Sequence, residues 1–166
     1  HHVNIPPEKP VGYFPQRPFL FTMGEKKKKK NFHTLVSLLK DEQLELIVVG
    51  KLDEPDYVKK MKRLAELTGV ADRLHILGSV SEEDKAWYLK NCVAFMMPSL
   101  AEGFGAPVVE AMAFGKPLFL SNLTSLPEIG ADVAFYFDDF NADRMQQVFN
   151  EGMIRYHQSG LADKII

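Results

Sequence analysis

The sequence predicts an α/β domain, a doubly wound, Rossmann-like parallel sheet of about six strands with helices on both faces. Several predicted strands are continuous apolar runs instead of alternating apolar and polar residues, as expected for strands covered on both faces. These runs alternate with segments of helical periodicity through short connections. Glycines stand directly after several of the runs, where a chain that leaves a strand has to turn.

The predicted strands lead into turn segments that should meet in space. Gly24, Gly50, Gly78 and the loop 99–105 each follow a strand. The carboxyl ends of parallel strands lie at one edge of a sheet, so we expect these segments to line the edge where doubly wound sheets bind their ligands. The strands themselves are predicted at residues 19–23, 44–49, 74–77, 93–97, 117–120 and 133–137.

Helices are predicted from apolar stripes and from residues that begin or end a helix. Ser81, followed by Asp84, forms a capping-box-like start. Pro107 is tolerated in a first turn, Gly115 is a typical C-terminal stop, and Asn141 can cap the last helix. The predicted helices cover residues 31–40, residues 56–68, a segment starting at Ser81, residues 107–114 and a segment after Asn141.

Composition indicates one packed domain and excludes several classes of protein. The chain has 166 residues, of which 46% are hydrophobic and 25% charged, and its net charge is -2. That charge gives no general attraction to nucleic acid or to an anionic membrane, and no apolar run approaches the length of a membrane span. Cys92 is the single cysteine, so an internal disulfide is excluded. We expect it to be a small buried residue. The lack of a second cysteine fits a reducing, cytoplasmic compartment.

The first 17 residues are predicted to be a linker that leads into the domain. Five prolines at positions 6, 7, 10, 15 and 18 rule out a helix or an interior strand there. We therefore place the folded domain at residues 18–166 and expect a further part of the protein to precede it.

Two carboxylates bracket the glycine-containing turn after the fourth strand. Glu102 and Glu110 are separated by seven residues, and Gly103 and Gly105 lie between them. Backbone amides at the start of a helix can bind a phosphate, and carboxylates can accept hydrogen bonds from sugar or ribose hydroxyls. Ordinary surface glutamates and turn glycines would give the same pattern, so the residue types alone leave both interpretations open.

The wider segment resembles a known family. Residues 102–117, EGFGAPVVEAMAFGKP, are similar to the E-x7-E signature of family 4 retaining glycosyltransferases, which have the GT-B fold. Shorter motifs in the same order are similar to that family too, and the resemblance runs from about residue 19 to about residue 143. These motifs are residues 97–100, Gly24 with Lys30 and Asn31, residues 46–50, residues 77–81 and residues 125–130.

The resemblance implies the C-terminal, donor-binding half of a two-domain enzyme whose N-terminal domain supplies the acceptor site. The donor would be a nucleoside diphosphate sugar and the acceptor a glycan or a lipid. By position, Glu102 would contact the donor sugar, Glu110 the ribose and Lys30 the diphosphate. A fixed cation at the diphosphate stabilises the charge that develops on the leaving group. The remaining donor contacts would come from Gly103, Phe104, Gly105, Ala106, Gly78 and Val80.

One position departs from the family pattern. Many members have arginine directly after the glycine, where this chain has Glu25, and one expected phosphate contact is thereby removed. The lysines from Lys26 to Lys29 either replace that arginine or form a solvated loop. A nucleic-acid patch is disfavoured, because no aromatic residues are interleaved with the lysines.

No metal ion is predicted, and no cofactor besides the donor substrate. His33, His75 and His157 are scattered, no D-x-D triplet occurs, and Trp87 and Tyr88 are expected to pack in the core. The resemblance implies transfer with retention by front-face displacement, in a cytoplasmic protein or one that is peripheral at a membrane. Two alternatives stay open. One is another GT-B-like enzyme, such as a sugar-nucleotide epimerase, and the other is a non-catalytic module whose lysine-rich loop binds an acidic partner.

Overall fold

The computed structural model describes residues 8–25, 28–101, 105–123 and 126–159. Its strands are β1 (Phe19–Met23), β2 (Glu45–Val49), β3 (Leu74–Ile76), β4 (Ala94–Met97), β5 (Leu118–Ser121) and β6 (Phe135–Phe137). They form one parallel sheet in the order β3-β2-β1-β4-β5-β6. Chain order reverses between β1 and β4, which is the arrangement of a doubly wound sheet and confirms the predicted fold class.

The strand ends differ slightly from the prediction. The largest difference precedes β6, where residues 131–133 form a 3-10 turn and the strand begins only at Phe135. Val133 packs against the core from that turn. An apolar run indicates burial and does not by itself indicate extended backbone, which is why the predicted strand 133–137 starts too early.

The helices follow the predicted order, with one change of type. The segment predicted as a helix at residues 31–40 is a 3-10 helix, Phe32–Lys40, in which the hydroxyls of Thr34 and Ser37 bond carbonyls three residues earlier. The Ser81 hydroxyl accepts the N–H of Asp84 at 3.1 Å, which confirms the predicted cap. The α-helices are α1 (Pro55–Leu67), α2 (Glu82–Asn91), α3 (Ala106–Met112), α4 (Leu126–Gly130) and α5 (Ala142–Ser159), of which α4 has no predicted counterpart.

Apolar side chains cover the sheet on both faces. The 3-10 helix, α1 and α5 pack on one face, and α2, α3 and α4 pack on the other. Trp87, Tyr88 and Cys92 lie in the second of these cores, as predicted. Burial raises the pKa of the Cys92 thiol to about 12, so this cysteine is a packed thiol and not a nucleophile. Among the described residues, no helix is long and apolar enough to cross a membrane.

The proline-rich segment before β1 is held by a buried carboxylate at the amino end of the sheet. Glu45 begins β2 and accepts hydrogen bonds from the backbone N–H of Gln16 at 2.8 Å and of Arg17 at 2.7 Å. The Tyr13 hydroxyl also donates to it, and Nε2 of His75 lies 2.7 Å away. The Tyr13 ring stacks on His75 with a centroid separation of 4.0 Å. Four groups therefore converge on one acidic side chain.

A second carboxylate holds the same segment from helix α2. Asp84 accepts the N–H groups of Val11 and Gly12, each at 2.8 Å. The indole of Trp87 donates to the Glu8 carbonyl at 3.1 Å. The segment is thus bound to both β2 and α2, although its described residues, 8–18, form no helix or strand.

We expect Glu45→Gln to lower the free energy of unfolding by about 1.5–3 kcal/mol. The glutamine side chain would place an NH2 group where a carboxylate oxygen now accepts hydrogen bonds from Tyr13 or from the backbone N–H groups of Gln16 and Arg17. At least one buried hydrogen bond would be lost. Urea unfolding followed by the fluorescence of Trp87 measures the loss. Glu42→Gln, at an exposed glutamate just before β2, is the matched control and should change stability by less than about 0.5 kcal/mol. Equal stability of the two variants would contradict the assigned role of Glu45.

Candidate functional site

The turns after β1, β2 and β3 meet at one edge of the sheet, as the sequence predicts. We call this the carboxyl edge. The N–H of Gly24 donates to the Val49 carbonyl at 2.9 Å, and the N–H of Gly50 donates to the Gly78 carbonyl at 3.1 Å. Three glycine turns are therefore hydrogen-bonded side by side.

Gly50 is the most constrained residue of the carboxyl edge. Its φ angle is 131°, a backbone conformation that residues other than glycine rarely adopt. A Cβ atom at this position would lie 2.1 Å from the carbonyl oxygen of Gly24. The first two turns can approach each other this closely only because Gly50 has no side chain.

The loops after β1 and β4 are joined where the strand order reverses, which is where doubly wound sheets bind their ligands. The N–H of Leu100 donates to the Lys29 carbonyl at 2.8 Å. The side-chain amide of Asn31 donates to the Pro98 carbonyl at 3.2 Å. Asn31 is buried and adopts the left-handed conformation with φ 60°, which sharply turns the chain between Lys30 and the 3-10 helix.

Lys30 lies at this junction. Its Cε would be 3.7 Å from a Cβ atom on Gly24, so its side chain passes over the first glycine turn. The preceding Lys28 is tied by its N–H to Oε1 of Glu54 at 3.0 Å. Glu25, which precedes this loop in the sequence, is exposed. Lys26 and Lys27, between Glu25 and Lys28, lie outside the described residues.

Part of the E-x7-E segment also lies outside the described residues, namely Glu102, Gly103 and Phe104. Gly105 directly precedes α3 with φ 66°, and a Cβ atom there would lie 2.2 Å from Cδ1 of Ile129. Ala106 is the first residue of α3, so the helix begins one residue earlier than predicted. Gly105 therefore lies against α4, which carries Ile129.

Glu110 lies on α3 and forms an ion pair that the sequence analysis did not anticipate. Its Oε2 is 2.8 Å from Nζ of Lys85 on α2, and the Glu110 side chain is 41% exposed. The same ammonium group lies 2.8 Å from Oε2 of Glu82. Lys85 therefore bridges two carboxylates on neighbouring helices. No periodic pattern relates positions on α2 to positions on α3, so the sequence carries no signal for this contact.

The charge on Lys85 is favoured by its two partners. Partial burial alone would lower the pKa of the ammonium group, but the hydrogen bonds to Glu110 and Glu82 outweigh this effect and the pKa is raised. Lys85 is therefore fully charged at neutral pH, and it supplies a positive charge beside the carboxylate of Glu110.

The loop that contains Gly78 and Val80 leads directly into α2. The Gly78 carbonyl faces Gly50, as described above, and the partly buried Val80 side chain packs against the core. A ligand that approached Val80 would therefore meet its backbone N–H and C=O groups and not its side chain. Since Ser81 caps α2, this loop and the helix that carries Lys85 form one continuous unit.

A cavity of about 550 Å³ opens beside the lysine-rich loop, next to the start of α1. His33 stands nearby, 2.9 Å from the hydroxyl of Tyr57, and burial, with Lys60 and Lys28 close by, lowers its pKa. Both charge signs line the cavity, which gives it no clear preference for an anion. Within the described residues, no group of three or more His, Cys, Asp or Glu side chains is placed to hold a metal ion. The cavity is lined by Lys28, Asp53, Glu54, Pro55, Asp56, Tyr57 and Lys60.

Comparison with known proteins gives consistent matches. Residues 8–153 match the family described as glycosyl transferases group 1. The MMP alpha-(1->4)-mannosyltransferase of Mycolicibacterium hassiacum is 37% identical over 97 residues, which are 58% of this chain. The crystal structure of Anabaena Alr3699/HepE in complex with UDP-glucose has a TM-score of 0.80 at 22% identity over 90% of this chain. The C-terminal domain of LpcC, a glycosyl transferase group 1 protein of Francisella tularensis, has a TM-score of 0.72 at 18% identity over 89% of this chain.

The chain is shorter than most of these proteins. It spans 23% of the mannosyltransferase and 43% of the Anabaena protein, but 80% of the LpcC domain. The structural matches, all below 25% identity, agree on the fold of the six-stranded sheet. The family match covers nearly all of the described residues. This chain therefore belongs to the glycosyl transferases group 1 family.

Proposed function

We propose that this domain binds the nucleoside diphosphate sugar of a retaining glycosyltransferase and forms the C-terminal half of that enzyme. The observation that carries the proposal is the position of Lys30 over the Gly24 turn and of a partly exposed Glu110 on the helix that follows β4, in a chain of this family. UDP-glucose in the Anabaena structure, which has the same fold, supports a nucleotide sugar as the ligand.

Glu110 is the proposed acceptor of the ribose hydroxyls. Its side chain is partly exposed, so a ligand can reach the carboxylate. The base would pass the loop of Gly78 and Val80, which offers backbone groups and no side chain that selects one base.

The leaving diphosphate is the proposed partner of Lys30 and of the backbone amides from Gly103 to Gly105, with Ala106 at the start of α3. Negative charge grows on the diphosphate as its bond to the sugar breaks, and positioned donors lower that barrier. Glu102 would orient the sugar through its hydroxyls. The acceptor would then attack from the face that the diphosphate leaves, which retains the configuration.

A glycan or a lipid is the proposed acceptor, held by a second domain that faces the carboxyl edge. This assignment fits polysaccharide assembly by a cytoplasmic enzyme or by one that is peripheral at a membrane. Because acceptor binding is assigned to the other domain, the chain alone should bind the donor and transfer little or no sugar.

Calorimetric titration of the folded chain with UDP, GDP, UDP-glucose and GDP-mannose tests the proposal. We expect saturable binding of at least one nucleotide with a dissociation constant below about 1 mM. A polyanion such as heparin serves as the comparison ligand, since an acidic-partner module would bind it in a salt-dependent way and ignore the nucleotides. Binding of heparin alone, or of nothing, by folded protein would overturn the donor assignment.

A further inference from the structure

The bridge from Lys85 to Glu110 points to a role in nucleotide recognition, and this inference rests on the proposed function. Glu110 by itself would be a poor ribose receptor, because a partly exposed glutamate has three rotatable bonds and loses rotamer freedom when a ligand fixes it. Binding is tighter when a receptor group is already held in its bound position.

Lys85 is well placed to hold Glu110. Its side chain is only 22% exposed, and its Nζ is fixed by two contacts of 2.8 Å, one to Glu110 and one to Glu82. Glu82 lies one turn earlier on α2 and anchors the ammonium group from its own helix. The lysine therefore spans α2 and α3 with its head group at a defined point.

The contact leaves Glu110 able to bind a ligand. An ionised carboxylate has about four lone-pair sites, and the Lys85 contact at Oε2 needs one of them. Two ribose hydroxyls can be accepted by the others. Lys85 also offsets the repulsion between the Glu110 carboxylate and an incoming diphosphate.

We propose that Lys85 is a positioning residue that holds the Glu110 carboxylate in place for the ribose of the donor. It acts through Glu110, and it sets how strongly the domain distinguishes a ribonucleotide from its deoxy form. The adjoining Gly78–Val80 loop and the ribose receptor are thereby joined in one unit through α2.

The test compares nucleotides that differ only at the ribose. The probe is UDP or GDP, whichever the wild type binds more tightly, together with its 2′-deoxy form, and calorimetry gives both dissociation constants. We expect the wild type to prefer the ribonucleotide by about tenfold or more. Lys85→Met and the second charge-free variant Lys85→Gln should reduce this preference to about twofold, while Lys85→Arg, which keeps a charged donor to the carboxylate, retains most of it.

Two further variants separate positioning from other effects. Lys90→Met removes an exposed lysine from the same helix and should leave both dissociation constants within about twofold. In a Glu110→Gln background, the Lys85→Met change should cost almost no further ribose preference, because the two residues act as one unit. Thermal unfolding of each variant confirms that it is folded.

Three outcomes would overturn the inference. An unchanged ribose preference in both charge-free variants contradicts positioning. An equal loss of affinity for the ribonucleotide and its deoxy form indicates that Lys85 contacts the base or the phosphates directly. Absence of nucleotide binding by the wild type overturns the proposed function, and the inference with it, whereas nucleotide binding with an intact ribose preference in both charge-free variants overturns the inference alone.

Discussion

Replacing Gly50 by alanine is expected to destabilise the domain by at least about 3 kcal/mol. The added methyl group would lie 2.1 Å from the Gly24 carbonyl oxygen, and backbone cannot move aside as a flexible side chain can. Relief of the overlap separates the first two glycine turns and breaks the hydrogen bonds to Val49 and Gly78. Urea unfolding monitored by circular dichroism measures the change.

Gly69→Ala is the matched control for this prediction. Gly69 also has a positive φ, 76°, but a Cβ atom there meets nothing within 4 Å. Its replacement therefore isolates the conformational cost of an alanine, about 1–2 kcal/mol, from the cost of the collision. An equal decrease in the free energy of unfolding of the two variants would show that the close approach of the turns contributes nothing to the cost of Gly50→Ala.

Glu110→Gln is expected to weaken nucleoside diphosphate binding by about 10- to 100-fold. Hydrogen bonds from ribose hydroxyls to a carboxylate are charge-assisted and roughly twice as strong as those to a neutral amide. The substitution also removes the charge that Lys85 contacts. Calorimetry with the nucleotide that the wild type prefers gives the ratio of dissociation constants.

Glu83→Gln provides the comparison for Glu110→Gln. It removes one negative charge from an exposed position in the first turn of α2, so any general effect of net charge on binding appears in both variants. We expect its affinity to stay within about twofold of the wild type. Equal affinities of the wild type and Glu110→Gln would refute the ribose assignment.

The fold was largely predictable because its strongest signals are local. Continuous apolar runs such as residues 44–49 mark strands buried on both faces, and the glycines after them mark turns at one edge. The type of the helix after Lys30 was not predictable in the same way. An apolar stripe is compatible with either a 3-10 or an α-helix, and the choice follows the left-handed turn at Asn31 and the hydroxyls of Thr34 and Ser37.

The candidate site could be proposed from the sequence only where its parts lie close together along the chain. The glycine turns and Glu110 stand out in the chain itself, whereas the Lys85 contact depends on how two helices pack. Asn31 shows the same limit, because its bond to Pro98 joins loops that follow different strands. Polar contacts between residues far apart in the sequence produce no periodic pattern from which they could be predicted.

The buried glutamate that secures the chain leading into β1 lies where the strands begin, while the candidate ligand groups lie where they end. A five-residue strand separates these two places by about 16 Å. We therefore expect a pull on the segment before β1 to act first on Glu45 and its hydrogen-bond partners, at the opposite end of the strands. The domain can accordingly be anchored firmly, or loosened, at one end of the sheet without reshaping the candidate ligand surface at the other.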